Sequence, residues 1–554
     1  MNKNILSGIL FIGVLLGGTL GFWAVEDGWS WLDAFYMTVI SVTTVGYGEV
    51  HQLSSAGRFV AMAVLFCGLG IFGLVLSQIT SFVVGGELAG VFERKALNKR
   101  VSKIDGHTIV CGLGRRGSWI ASTLAAKSPD HVTAIELNPL ADAIPDLKKK
   151  GVVLVTGNAR EAANLRLIGL EKASQVVVVA GCDEDNLAIA QEIQKATANL
   201  PRPPAIIAAV ERYGTNSYFS DRLGEVGISL LGFRSQAALW LAHELLGDWI
   251  QTLNAIPEKP LRIFIQTSEE FRDEVVRAFS MACQLTAKTR PQIHLFLTSG
   301  ESEERFHDSF PAASHAVEIL WHRESMEATG EDDDNLPDIA LFAMSKDTES
   351  LYAAERYLMR RPGISQERVI ACIQDTGDLR DAALRTDPYK REPRILGFYE
   401  TRKESAPILS HAMDAEGRAI HENYRATAIK ENRDPGPWER LPEFLKNSNR
   451  LAAMHHPVKR HLHQRLSGLG IDQEQILAHL TMSEHSRWVA FHVMNGWRPS
   501  PTIISDRTLR TETRLHHSIA PFDKLDAPTK ALDLANVLQA LGLDPQTKVP
   551  GINS

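Results

Sequence analysis

The sequence predicts a membrane α-helical segment followed by two parallel α/β units and a small C-terminal helical module. Three observations predict it. Residues 5–25 and 59–86 carry no charged side chain, whereas the rest of the 554 residues is charged throughout. An apolar run at 107–111 leads directly into GLGRRG at 112–117. Short apolar β-type runs then alternate with helical stretches as far as residue 373. At roughly 100 to 200 residues per domain, the length suits several domains.

The two uncharged runs are 21 and 28 residues long, against the roughly 20 that a helix needs to cross a hydrocarbon core. A cleaved signal peptide fits the first run less well, because its apolar core is long and a second span follows. Arg94, Lys95, Lys99, Arg100 and Lys103 cluster after the second run, whereas Glu26, Asp27, Asp33 and Glu49 lie between the runs. Positive charge stays inside, so both termini are expected in the cytoplasm. The five cysteines lie far apart without a CxxC pair, the pattern of reduced thiols rather than of a disulfide frame or zinc site. A net charge of -7 argues against a general nucleic-acid binder.

Between the spans, residues 30–43 read as one helix of about three turns, with Ser30 as N-cap and Asp33 at its favourable end. It is too short to cross a bilayer. It can re-enter, and Thr44-Val45-Gly46-Tyr47-Gly48 must then return as extended backbone at membrane depth. That is tolerated only where protein or a water-filled path satisfies the carbonyls. Glycines at 46 and 48 open backbone conformations closed to other residues, so that successive carbonyls can turn toward one axis and form a cation path.

This pentapeptide, lodged between two spans, resembles the filter of the two-transmembrane potassium channels. The resemblance implies K+ sites built from the carbonyls of Thr44, Val45, Gly46 and Tyr47 with the Thr44 hydroxyl, and Glu49 just outside them. One chain supplies one loop, so a homotetramer in a prokaryotic cell membrane is implied, with Tyr47 packed outward against pore helices at Trp31 and Tyr36. In the second span, Gly68 falls at the family's gating hinge and Gly73 near the inner-helix crossing. Close helix packing is the plainer alternative for both, and for Gly70.

The GLGRRG run sits between an apolar strand and a helix, and Glu136 follows its last glycine by 19 residues. Together these make the dinucleotide-binding fingerprint of a Rossmann-like fold. Gly112, Gly114 and Gly117 let phosphates approach the helix N-terminus, Arg115 and Arg116 are candidate phosphate contacts, and Glu136 is placed for ribose hydroxyls. Behind an inner helix, this unit resembles the RCK (regulator of potassium conductance) domain. The resemblance implies a regulatory ligand, NAD(H) or another adenine nucleotide. Calcium is the less favoured alternative, since the relevant positions are Ala180, Ala209 and Glu211, one acid of three. Residues 234–253 read as an amphipathic helix for pairing such domains.

A second alternation begins at 261 without a GxGxxG and reads as a degenerate RCK partner; its acid run 331–334 reads as a solvated loop. From about 408, the stretches RAIHENY (418–424), PWERLP (437–442), KNSNR (446–450), EHSRW (484–488) and Gly496-Trp497 resemble the ryanodine-receptor repeat (RyR) domain. Trp438, Trp488 and Trp497 with Asn447, Asn449, Arg450 and Arg487 are either a second ligand pocket, of aromatic faces and guanidinium forks, or the core and caps of a small bundle. The expected domains are 1–100, with spans 5–25 and 59–86 around helix and filter 31–48, then 101–255, 256–405, 406–510 and a tail 511–554. The expected function is a ligand-gated, potassium-selective channel rather than an enzyme. A calcium-gated channel, and a membrane-tethered nucleotide-sensing scaffold or enzyme, are the alternatives.

Overall fold

The computed structural model describes residues 3–84, 97, 99–286, 288–297, 303–328, 336–373, 391–397, 412–430 and 434–552. Arg94, Lys95, residues 85–86 of the expected second span and the acid run 331–334 lie outside the described residues. The chain divides into two units, Met1–Lys103 and Ile104–Ser554.

In the first unit, α1 (Lys3–Val25) and α3 (Ser55–Val84) flank the short α2 (Trp31–Val42). The third helix starts four residues before the uncharged run. It begins there because Ser54 and Glu26 give it a polar start: the buried Glu26 carboxylate accepts from Ser54 N and Oγ, both at 3.0 Å, and Ser54 Oγ accepts from Gly57 N at 3.0 Å. Ser30 caps α2 in a reciprocal capping box with Asp33. The three helices meet where Gly18 leaves room, since a Cβ there would lie 2.7 Å from Thr38 Cγ2 and 2.9 Å from Val64 Cγ2. Phe22, Trp29, Met37, Ile40, Val42 and Leu53 fill the small core. Leu10, Leu20, Phe59, Phe66 and Leu69 stay exposed, the all-round apolar surface of helices made for lipid.

The second unit begins with six parallel strands: β1 (Thr108–Cys111), β2 (Val132–Glu136), β3 (Val153–Thr156), β4 (Gln175–Val178), β5 (Ala205–Ala209) and β6 (Ile228–Leu231). Their order is β3-β2-β1-β4-β5-β6. Consecutive strands run outward from β1 in one direction and then, from β4, in the other. The reversal between β1 and β4 leaves a crevice at the strand C-termini, where doubly wound sheets bind ligands. The helices that matter here are α4 (Arg115–Lys127), α5 (Asp183–Thr197), α6 (Tyr213–Gly224) and α7 (Phe233–Gln251).

The second sheet repeats this plan. Strands β7 (Arg262–Thr267), β8 (Gln292–Leu297), β9 (Glu318–His322), β10 (Ile339–Ala343), β11 (Val369–Ile373) and β12 (Arg394–Gly397) are parallel in the order β12-β11-β10-β7-β8-β9. Helices α8 (Glu269–Ala282) and α9 (Asp347–Arg360) accompany them.

The C-terminal helices are α10 (Ala412–Lys430), α11 (Glu443–Gly468), α12 (Gln473–Val493) and α13 (Ala527–Leu541). They are not a separate body. One core joins α7 and the second sheet to Leu451, Val458, Leu462, Leu480, Val493, Leu534, Val537 and Leu538. Polar ties cross the same seam: Arg277 Nε donates to Met494 O at 2.8 Å, His455 Nε2 meets Ala282 O at 3.0 Å and Arg465 Nε donates to Leu253 O at 2.8 Å. Helix α7, expected to pair domains, thus packs against the second half of its own chain. The expectation of a tail after 510 is corrected: Leu534, Val537 and Leu538 give α13 a helical apolar stripe, and Val549 and Ile552 are buried in the same core.

Candidate functional sites

In the loop after α2, φ is positive at Thr44 (59°), Gly46 (61°) and Gly48 (125°), and Val45 and Tyr47 between them lack a positive φ. A strand turns successive carbonyls to opposite sides; alternating the sign of φ breaks that alternation and lets neighbouring peptide groups face one way. The amides turn back to the helix: Thr44 N donates to Ser41 O at 3.2 Å, and Val45 N and Gly46 N donate to Ile40 O at 3.1 and 3.2 Å. Residues 44–49 are exposed in the single chain, Tyr47 by 82%, and Trp31 and Tyr36 are half exposed. Gly68 lies against the end of α2, where a Cβ would be 2.9 Å from Val42 Cγ2; a Cβ at Gly70 or Gly73 would meet nothing within 4 Å.

The three glycines after β1 do three different things. Gly112 has φ +91°, and a Cβ there would lie 2.6 Å from Ala180 Cα. At Gly117 a Cβ would overlap the Gly112 carbonyl oxygen, so α4 can approach β1 only through glycine. At Gly114, the N-cap of α4, a Cβ would meet nothing within 4 Å, and no side chain caps the helix. That is a tight turn, a close helix contact and a helix start that no side chain caps. Gly117→Ala is therefore expected to destabilise the second unit by roughly 1–3 kcal/mol through overpacking. Gly114→Ala meets no neighbour and should cost less, no more than the roughly 1 kcal/mol of a poorer N-cap, which denaturant unfolding of the two variants measures.

Glu136 ends β2 with one carboxylate oxygen on Leu113 N, inside the glycine loop, and the other on Asn138 N at 2.9 Å. Arg115 is exposed beside the loop. Arg116 turns away, its guanidinium pairing with the Glu211 carboxylate. Glu211 also accepts from Arg234 N at 3.0 Å, at the start of α7, while Asp183 accepts from Glu211 N at 2.9 Å and Arg212 N at 3.0 Å. Burial pushes the Glu211 carboxyl up, and Arg116 pulls against it. Ala180 and Ala209 carry no ligand oxygen in their side chains, and among the described residues no group of three or more His, Cys, Asp or Glu is placed to hold a metal.

In the C-terminal helices, six of the seven predicted residues line one cavity of about 1570 Å³: Asn447, Asn449, Arg450, Arg487, Trp488 and Trp497. Trp438 does not join them. It is buried, with the Arg450 guanidinium 5.8 Å from its ring centre. Arg450 is in turn held by Asp414 Oδ1 at 2.7 Å, by Asn447 Oδ1 at 2.7 Å and by Glu443. Asn449 Nδ2 donates within its own helix to Leu445 O at 2.9 Å. Trp497 stacks on Phe444 at 5.2 Å, and Trp488 lies 3.8 Å from His492 and 5.0 Å from His516, centre to centre.

Arg487 pairs bidentately with Glu484, Nε to Oε2 at 2.8 Å and Nη2 to Oε1 at 2.7 Å, and Lys459 Nζ reaches the same carboxylate at 2.7 Å. Burial would raise the Glu484 carboxyl, but Arg487 and Lys459 together hold it well below the usual range. Lys459 was not singled out from the sequence. Its signal is a lysine inside the apolar stripe Leu451, Val458, Leu462 and Leu466, a place that needs a buried partner.

Comparison with known proteins agrees with this division. Residues 9–85 match the family model described as "Ion channel", and residues 108–228 match the TrkA-N domain. Potassium channel protein 1 of Methanocaldococcus jannaschii is 27% identical over 190 residues, 34% of this chain and 55% of that protein. Calcium-gated potassium channel TvoK of Thermoplasma volcanium is 28% identical over 169 residues, 30% of this chain and 44% of that protein. The chain thus spans about half the length of the curated relatives it matches. A solved GsuK channel, 15% identical, covers 74% of this chain and 98% of its own with a TM-score of 0.42. The chain therefore joins a segment similar to ion channels to one similar to TrkA-N domains, with a second α/β sheet and C-terminal helices beyond the matched residues.

Proposed function

We propose that four copies of this chain form a potassium-selective channel in a cell membrane, gated by a nucleotide-type ligand at the glycine loop of the first α/β sheet. The observation that carries the reading is the alternation of φ at Thr44, Gly46 and Gly48, on an exposed loop behind a capped short helix between two apolar helices. Four such loops around an axis would present the carbonyls of Thr44, Val45, Gly46 and Tyr47 to K+ in place of its water. The exposed Tyr47, Trp31 and Tyr36 would then be covered by neighbouring copies. Gly68 and Gly73 are the proposed places for α3 to bend, Gly68 at its packing point on α2 and Gly73 where its face is open.

At the loop, Gly114 would admit phosphate to the first amides of α4, Arg115 would add charge, and Glu136 would accept from ribose hydroxyls. Arg116 would reach a phosphate only by leaving Glu211. A ligand shifts the channel only through its difference in affinity for the open and closed states.

Potassium flux into liposomes holding the purified protein tests the reading. Flux of K+ without equal flux of Na+, altered by NAD or ATP, is expected. In Gly114→Asp, a carboxylate placed where phosphate would sit should remove the nucleotide response and leave K+ selectivity intact; Glu136→Ala should weaken the response. Equal passage of both cations would refute the pore. An unchanged response in Gly114→Asp would refute the loop. The calcium reading fits less well, because Ala180 and Ala209 offer no side-chain ligand and Arg116 occupies Glu211. Turnover of NAD by the protein would instead support the enzyme alternative.

A further inference from the structure

We infer that the cleft between the β6–α7 edge and the C-terminal helices is a second ligand site, taking a small planar organic anion of the nucleotide class. Its two walls come from distant parts of the chain. Gly232, Ser235 and Gln236 line one side, and Arg487, Trp488 and His517 line the other.

Three of these residues hold a buried polar atom with no hydrogen-bond partner: Arg487 Nη1, Gln236 Oε1 and His517 Nδ1. A buried polar atom left unmatched is destabilising, and three around one cavity is a pattern that a polar occupant explains. Each asks for something different. Arg487, 2% exposed, is a fixed cation whose Nε and Nη2 are taken by Glu484 and whose Nη1 is an unmatched N–H. That is a demand for an anionic oxygen. Gln236 Oε1 asks for an N–H donor. Trp488, half-buried and already among the rings of His492 and His516, offers a flat apolar wall for a ring.

A molecule that answers Arg487, Gln236 and Trp488 at once has an aromatic ring with N–H groups and a phosphate or carboxylate. Arg514, also on the cavity wall, closes the short helix Arg507–Thr513 in the left-handed region at φ 50°. Because Gln236 is on α7 and Arg487 on α12, an occupant would tie these two helices together. The site is separate from the glycine loop and does not depend on it.

The test uses the full-length protein carrying Gly114→Asp, which removes the loop as a nucleotide site. Calorimetric titration with AMP, NAD and cyclic di-AMP is compared with adenosine, a ring without the anion, and pyrophosphate, an anion without the ring. At least one nucleotide is expected to bind, with adenosine and pyrophosphate at least about tenfold weaker. Arg487→Met and Trp488→Ala should each weaken that binding about tenfold or more. Gln236→Leu, on the opposite wall and with no Oε1 hydrogen bond to lose, should weaken it similarly, and it keeps the test valid if Arg487→Met does not fold. Absence of binding by all three nucleotides, pyrophosphate binding as tightly as they do, or binding unchanged in both Gln236→Leu and Trp488→Ala would overturn the site. The loop is judged separately, by the difference in stoichiometry between wild type and Gly114→Asp.

Discussion

Gly46→Ala is expected to abolish potassium selectivity while leaving the second unit folded and able to bind its ligands. Gly46 sits at φ +61° with nothing within 4 Å of where a Cβ would be, so the substitution meets no neighbour in the chain. Its effect is on the backbone. An alanine in the left-handed region is disfavoured by roughly 1–2 kcal/mol, and in a tetramer every ring of carbonyls would carry that strain four times. The loop would relax toward negative φ, and the carbonyls of Val45 and Gly46 would turn off the axis. The amides of Val45 and Gly46 already share the Ile40 carbonyl, so the relaxation would also loosen the loop from α2. Liposome flux with K+ and Na+ gradients measures the result: loss of discrimination or loss of all flux is expected. Wild-type selectivity in Gly46→Ala would mean that the loop is not the filter.

Local pattern made the pore segment and the first sheet legible, because each of their signals is short-ranged. A charge-free run, a Ser-x-x-Asp cap and a TVGYG turn are read within a few residues, and the structure shows the box at Ser30 and Asp33 and positive φ at Gly46 and Gly48. Positive φ at Thr44 was not legible, since threonine rarely adopts it. The glycines of the 112–117 run were legible as a set, but their division of labour depends on Ala180, which is brought beside Gly112 only when β4 pairs with β1. The pairing of Arg116 with Glu211, 95 residues apart, was beyond reach for the same reason: sequence offers the charge and not the partner. The C-terminal helices show the limit most clearly. Their tryptophans were visible, yet whether each lines a cavity or fills a core is decided by α7 and α13, whose docking no local pattern announces.

Acid should begin to destabilise the second unit at about pH 6.5, above the range of ordinary carboxylate titration. His455, His456 and His492 are 1%, 8% and 4% exposed. Burial pushes His456 and His492 down to about 3 and His455 well below its ordinary value. Neighbouring cations add to this: Lys459 for His455 and His456, His516 and Arg487 for His492. Their folded values lie below the unfolded 6.5, so the unfolded chain takes up protons first. The stability they contribute is complete above about pH 6.5 and is lost as pH falls from there toward 3.

Glu274 works the other way. Burial raises its carboxyl to about 7, so between pH 7 and 4.5 the folded state takes up that proton and gains. Among these four groups, three histidines against one glutamate leave about two protons in favour of unfolding, or on the order of 3 kcal/mol per pH unit below 6.5. Typical domain stabilities of about 5–15 kcal/mol would then be consumed within a few pH units. Urea unfolding of the full chain at pH 7, 6 and 5 is expected to show a steep loss, with His456→Leu lessening the slope by roughly half by the same count. A midpoint unchanged between pH 7 and 5 would show that these histidines are protonated in the folded chain. The packing of α11 and α12 against α8 would then have to accommodate buried charge beside Lys459 and Arg487, two cations that already share the Glu484 carboxylate.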